Sequence, residues 1–281
     1  MLDSLRHFTL VAEHGTFTAA ARHARLTQPA LTASIQRLEA QLGGKLFARG
    51  PSGASLTAAG EALLPRARAA LAAVEEGRRA VSEVLGLAAG SVRIGAGATV
   101  CTYYLPRTLA RFRTKHPNVQ LMLREGEQAT LLDALEAGDL DIMILARVPG
   151  SPVLRPGLVR EKWLSDELVL VSAPNVDAKS APLVTFARGM TTRAIVDQRF
   201  ASRPIAMELG SIAAVKANTR AGVGVALVSR ASIQREVDAG QLVIVPSEHT
   251  PIVRPLHLVH RGKDRLPPAA SALLKLLRAS K

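Results

Sequence analysis

Between Thr27 and Leu42 the chain reads TQPALTASIQRLEAQL. At about 100° per residue, Leu31, Ile35, Leu38 and Leu42 fall on one stripe, the pattern of a helix with a single buried face. The opposite side carries Pro29, Thr32, Ala33, Gln36, Arg37 and Ala40: small or polar side chains, one cation and no carboxylate. Such a face can lie against a polyanion without charge conflict, and its short side chains let the backbone approach base edges. Thr27 and Gln28 open the helix, where a hydroxyl and an amide can reach into a groove. An ordinary amphipathic helix fits the same stretch, so its neighbours must decide.

Upstream, Leu2, Leu5, Phe8, Val11 and Ala12 keep helical spacing up to Gly15. Thr18 is the expected N-cap of a short helix, TAAARHA, whose alanines let another helix cross closely. Arg25 and Leu26 turn into the polar-faced helix. Helix, turn, short helix, turn, longer helix is the helix-turn-helix order, with the last helix as reader. Downstream, KLFARG and LTAAG flank PSGAS, the pattern of a small hairpin or wing that presents Lys45 and Arg49 to phosphate. Residues 58–87 then hold a heptad seam of Leu64, Leu71, Arg78 and Leu85 beside Ala67, Val74 and Val81, with Pro65 near its start. The seam predicts a dimer through Leu64, Leu71, Val74, Val81 and Leu85; packing on its own domain is the alternative.

Residues 88–91 read as a hinge, after which strands and helices alternate: VRIGAG, LPRTLARF, VQLMLRE, LLDALEAG, DLDIMILA. This βαβαβ order implies a parallel sheet. A second set begins near Trp163 and a helix over 267–279 closes the chain. The expected fold is mixed: an all-α winged helix-turn-helix with a long linker helix, then an α/β two-lobed, periplasmic-binding-protein-like effector domain. The expected boundaries are 1–58 for the head, 59–87 for the linker and 91–281 for the effector domain. Lobe I takes about 91–161 and 266–281, and lobe II about 162–265, with a cleft at the carboxyl ends of the strands.

The net charge of +13 suits a polyanionic partner, yet residues 1–60 supply only +3 of it and residues 91–281 supply +10. A single cysteine, Cys101, excludes an intramolecular disulfide framework and a multi-cysteine zinc site. The chain shows neither a secretion signal nor an apolar run of about 18 residues, so a cytoplasmic protein without membrane contact is expected. No cofactor is expected. Gly95 and Gly97 follow a strand, but Val100 stands where the dinucleotide fingerprint needs a further glycine. No nucleophile elbow or Walker loop supports an enzyme.

The block FTLVAEHGTFTAAARHARLTQPALTASIQRLEAQLGGKLFAR, followed by LTAAGEALLPRARA, resembles the LysR-type transcriptional regulators. IGAGATVCTYYLPRTLARF, ALEAGDLDIMI and ELGSIAAVKANTRAGVGVAL are similar to that family's effector domain. The resemblance implies a homodimer or homotetramer on promoter DNA, with a small-molecule inducer in the cleft that alters DNA bending and contact with RNA polymerase. It further implies that Gln28, Pro29 and Thr32 reach major-groove bases and that Arg49 approaches the minor groove. Ala33 stands where family members often carry a basic residue. Chemically, Gln28 suits adenine, Pro29 and Thr32 suit a thymine methyl, and Gln36, Arg37, Lys45 and Thr18 line the same side. A sequence-insensitive architectural protein and a solute-binding protein remain the alternatives. The first would have little need of two lobes, and the second none for the first ninety residues.

For the cleft, the strand-to-helix junction at Ala98 to Thr102 and the helix start at Thr191 and Thr192 offer N–H groups to an anion. Arg147 and Arg193 are candidate carboxylate or phosphate partners. The family resemblance adds Thr99, Val100, Glu127, Gln128 and the segment from Met190 to Arg193. A helix N-terminus would lower the Cys101 thiol's pKa, but small apolar packing is the expected role. Tyr103 and Tyr104 are expected to pack the first lobe.

Overall fold

Three short helices are stopped by residues in left-handed conformation: α1 (Leu2–His14) by Gly15 at φ 66°, α2 (Phe17–Ala24) by Arg25 at φ 55°, and α3 (Gln28–Leu42) by Gly43 at φ 72°. The computed structural model describes residues 1–50, 53–84, 90–148, 151, 153–154 and 156–280. Within it the chain divides into two compact units, residues 1–88 and, apart from the turn at 136–139, residues 89–281.

In the first unit the three helices enclose Phe8, Val11, Ala20, Ala21, Leu31, Ile35 and Leu38, joined by Leu46, Phe47 and Ala67. The Phe47 ring meets Phe8 and Phe17 at centroid distances of 5.3 and 5.7 Å. The hairpin pairs β1 (Phe47–Gly50) antiparallel to β2 (Gly53–Leu56). The helix α4 (Ala58–Val84) runs through Pro65. Two local expectations change. The N-cap of α2 is Thr16, extended at φ −140° and accepting the Ala19 N–H at 3.2 Å, whereas Thr18 lies inside the first turn. Leu42 is 53% exposed, because α3 ends at Gly43 beyond the edge of the core; Ser34 and Glu39 are buried on that face instead.

The second unit is built on a mixed seven-stranded sheet whose order is β10 (Val243–Ile244), β6 (Val159–Ser172), β11 (Ile252–His260), β5 (Ile142–Ala146), β3 (Ser91–Ala96) and β4 (Gln120–Glu125), with β9 (Ala226–Ser229) paired to β6. Here β3 (Ser91–Ala96) runs parallel to β4 (Gln120–Glu125) and β5 (Ile142–Ala146), as βαβαβ requires. The helices α5 (Pro106–Lys115) and α6 (Gln128–Glu136) make the crossovers. The fourteen-residue strand β6 (Val159–Ser172) pairs antiparallel with β11 (Ile252–His260) along the length of β11. β6 and β11 belong to both lobes, so the expected lobe boundary at 161/162 falls inside β6.

Lobe I packs Ile94, Phe112, Ile142, Ile144 and Trp163 against α10 (Pro268–Ala279), with the Trp163 indole N–H donating to Leu277 O at 2.8 Å. Lobe II contains β7 (Leu183–Phe186), α7 (Thr191–Arg199), β8 (Ile205–Leu209), α8 (Ile212–Arg220), β9 (Ala226–Ser229), α9 (Gln234–Asp238) and β10 (Val243–Ile244). Tyr103 packs on the second lobe's core around Val169, Val184 and Val215, not on the first's. Gly95 serves packing: a Cβ there would stand 2.5 Å from the Leu140 side chain.

Candidate nucleic-acid interface and ligand cleft

On the head, Thr27 caps α3 by accepting the Ala30 N–H at 3.4 Å. Gln28, Pro29, Gln36 and Arg37 are exposed and Thr32 is half-buried. The Thr18 hydroxyl donates to Gln28 Oε1 at 3.3 Å, so α2 orients the amide that opens α3 and leaves its NH₂ outward. A groove of about 340 Å³ between α3 and the start of the wing is lined by Thr32, Gln36, Glu39, Lys45 and Phe47. Lys45, largely exposed, binds the buried Glu39 carboxylate at 2.8 Å, so its charge is partly compensated at home. The Arg49 side chain lies outside the described residues, although its backbone pairs with Ala54 in the hairpin.

Along α4, Leu64 and Ala67 pack on the head's own core, so the first heptad belongs there. Leu71 and Val74 are half-buried and Val81 is 59% exposed. Leu85 lies outside the described residues.

Between the lobes lies a cavity of about 360 Å³ lined by Ala98, Thr99, Val100, Glu127, Gln128, Thr191 and Thr192 together with Glu125, Arg188, Gly189 and Arg254. Lobe I meets lobe II across it: Gln128 Nε2 donates to Ala146 O at 2.6 Å and to Thr191 Oγ1 at 3.4 Å. At Gly189, φ is +90°, so the conformation calls for glycine, and the Glu127 carboxylate lies against its open side, 2.9 Å from where a Cβ would stand.

Two expectations fail here and a third is narrowed. Arg147 is exposed and is absent from the cavity lining. Arg193 is 3% exposed and already bound to Asp197 at 2.6 Å, Glu208 at 2.9 Å and Phe186 O at 3.0 Å. The Arg193 pKa is accordingly raised, chiefly by the Asp197 hydrogen bond. At the first strand's end the chain makes a π-helical turn, Val100–Tyr104, in which the Val100 and Cys101 N–H groups both bond Gly97 O. Those donors are spent within the turn.

The cations that do line the cleft are Arg188, exposed at its rim, and Arg254 of β11, 5% exposed. Arg254 donates to Asp166 Oδ2 from Nε at 2.7 Å and from Nη2 at 2.6 Å, and to Thr192 Oγ1 at 3.3 Å. Asp166 also accepts the Tyr104 hydroxyl at 2.7 Å and the Ser229 hydroxyl at 2.5 Å. Sequence reasoning missed Arg254 because its strand is far along the chain and reaches the cleft only through antiparallel pairing with β6. Burial, the Asp166 hydrogen bond and the Asp166 charge hold the Tyr104 phenol far up, so it stays a donor. The Cys101 thiol, half-buried with Sγ 3.4 Å from Ala96 O, is pushed up to about 11 by burial and then by Glu125.

The family model described as bacterial regulatory helix-turn-helix protein, lysR family, matches residues 2–61, and that described as LysR substrate binding domain matches residues 85–281. The HTH-type transcriptional regulator CbbR of Rhodospirillum rubrum is 32% identical over 287 residues, covering 99% of this chain and 96% of its own. CfxR of Cupriavidus necator, another HTH-type transcriptional regulator, is 30% identical and covers 96% of this chain and 89% of its own. The fold is shared with full-length OxyR from Pseudomonas aeruginosa, at a TM-score of 0.67 and 20% identity over 100% of this chain and 94% of that one. It is shared also with CbnR, described as a LysR family transcriptional regulator, at 0.65 and 23% over 100% and 99%. With a helix-turn-helix head matched at one end and a substrate-binding domain at the other, the chain belongs to the LysR family of transcriptional regulators.

Proposed function

We propose that this regulator binds a specific promoter as a homodimer or homotetramer in the cytoplasm and answers to a small organic acid held between its lobes. The α3 face would read bases through Gln28, Pro29 and Thr32, while Arg37 and Lys45 neutralise phosphate. Leu71, Val74 and Val81 would supply the pairing seam, since Leu64 is engaged by the head. The observation that carries the effector reading is the polar lining of the cleft. Hydroxyls of Thr99, Thr191 and Thr192 and the cations Arg188 and Arg254 suit a carboxylate. Glu125 and Glu127 in the same lining add acceptors, so the preferred acid also carries a hydrogen-bond donor such as a hydroxyl or an ammonium group. Closure around it would alter head spacing and contact with RNA polymerase.

The test uses the DNA upstream of the regulator's own gene. Gln28→Ala should cost roughly 1–3 kcal/mol on the specific fragment and much less on random DNA; equal losses would remove Gln28 as a reader. In a thermal-shift screen of small hydroxy and amino acids, a hit should disappear in Thr99→Val. A hit that persists there takes Thr99 out of the site.

A further inference from the structure

The excess positive charge of the second unit is not spent on the cleft. Several arginines of this unit have acidic partners: Arg254 of β11 with Asp166, Arg93 of β3 with Asp141, Arg278 of α10 with Glu161, and Arg230 after β9 with Glu167. One group of cations that the strands bring together has no such partner among the described residues. In the β6–β11 ladder His257 stands opposite Lys162, and Val259 opposite Arg160. On the other side of β11, His257 stands opposite Leu145, and Arg147 follows β5 by one residue with its N–H bonded to Pro255 O at 3.0 Å. Alternation therefore puts Arg147, Arg160, Lys162 and His257 on one side of three adjacent strands.

That side also carries Met143, Leu145 and Val259, which pack with α6, whereas Ile144 and Ala146 face the cleft. Arg147, Arg160 and Lys162 are exposed, and among the described residues none has a side-chain hydrogen bond or ion pair. His257 Nδ1 is buried, and burial, then Arg160, Arg147 and Lys162, lower the His257 pKa against a smaller raising contact with the Pro255 backbone. The carboxylates of α6, Asp133 and Glu136, have interactions of their own. Three cations gathered around a buried imidazole nitrogen repel one another, and a multiply charged oxyanion relieves that repulsion.

We propose that Arg147, Arg160, Lys162 and His257 form a second anion site, on the sheet face opposite the cleft, that takes a phosphate group. The group comes either as free phosphate or on a small phosphorylated metabolite. Because β6 and β11 run through both lobes, occupancy would bear on the strands that frame the effector cleft.

Thermal unfolding of the full chain in inorganic phosphate, with chloride at equal ionic strength as reference, tests the site. Phosphate should raise the midpoint in a saturable way and chloride should not. Arg160→Gln/Lys162→Gln should abolish the rise, and Thr99→Val should retain it. A rise that survives the double substitution, or that Thr99→Val removes, overturns the proposal. Glycerol phosphate in parallel distinguishes the sources, since half-saturation at a lower concentration than for inorganic phosphate assigns the site to a phosphorylated metabolite. Both substituted residues are exposed, and unchanged promoter affinity verifies that the variant is folded. If its promoter binding instead loses about two units of salt slope, the cluster contacts DNA phosphates and the small-anion site is refuted.

Discussion

The Thr16 hydroxyl satisfies an N–H that the first turn of α2 would otherwise leave to water, and Phe17 beside it enters the head core. Thr16→Ala should lower the head's stability by about 1 kcal/mol, and Thr18→Ala by clearly less, in chemical denaturation of each variant; the reverse ranking would return the cap to Thr18. Both threonines carry the right side chain, and sequence alone does not show which backbone is extended before the turn. Cys101 poses the same kind of problem. Proximity to a helix start argues for a low thiol pKa, whereas burial and Glu125 set it near 11. At pH 8 the thiolate is then about a thousandth of the population, so iodoacetamide should modify Cys101 roughly a hundredfold more slowly than free cysteine. Alkylation at the free-cysteine rate would restore a sensing role.

At the scale of elements, α3 is tied to the wing by Glu39, whose carboxylate accepts Lys45 Nζ at 2.8 Å and the Leu46 N–H at 2.9 Å. Burial pushes the Glu39 pKa up, but these hydrogen bonds outweigh it and hold the group below its ordinary value. A carboxyl with its folded-state pKa depressed contributes stability that is complete above the unfolded value, about 4.3, and is lost as pH falls through the lower folded one. The gap in melting temperature between the native chain and Glu39→Gln should therefore be widest near neutrality and narrow below about pH 4; a constant gap would show that the charge contributes nothing. Periodicity exposed Leu31, Ile35 and Leu38 in this helix and the βαβαβ order in the next unit, because both follow from local repetition. It did not expose Glu39, since a buried carboxylate on an apolar stripe makes sense only once Lys45 and Leu46 fold back on it. Arg193 and Arg147 show the same limit from the other side: composition marks a cation, but only the register of α7 and β5 decides what it meets.

For the molecule as a regulator, the decisive arrangement is the one around Asp166, where β6, β9, β11 and the turn after β3 converge. The carboxylate is 1% exposed and binds Tyr104 from lobe I, Ser229 from lobe II and Arg254 from β11. Arg254 in turn holds Thr192, whose hydroxyl lies in the cleft wall. A ligand that engages Thr192 or Arg254 thus acts on a group bonded to both lobes. Removing one partner of a buried ion pair strands the other charge, at a cost of about 3–5 kcal/mol for full loss. Asp166→Asn keeps the shape and part of the hydrogen bonding, so a smaller loss of stability is expected. The informative readout is coupling. If Asp166 links the cleft to the lobes, Asp166→Asn should keep promoter affinity in the absence of ligand while the change in affinity on adding an effector that binds the native cleft shrinks several-fold. Titrating both proteins with promoter DNA, with and without that effector, separates the outcomes. An unaltered effector response with lowered stability would leave Asp166 a structural residue only.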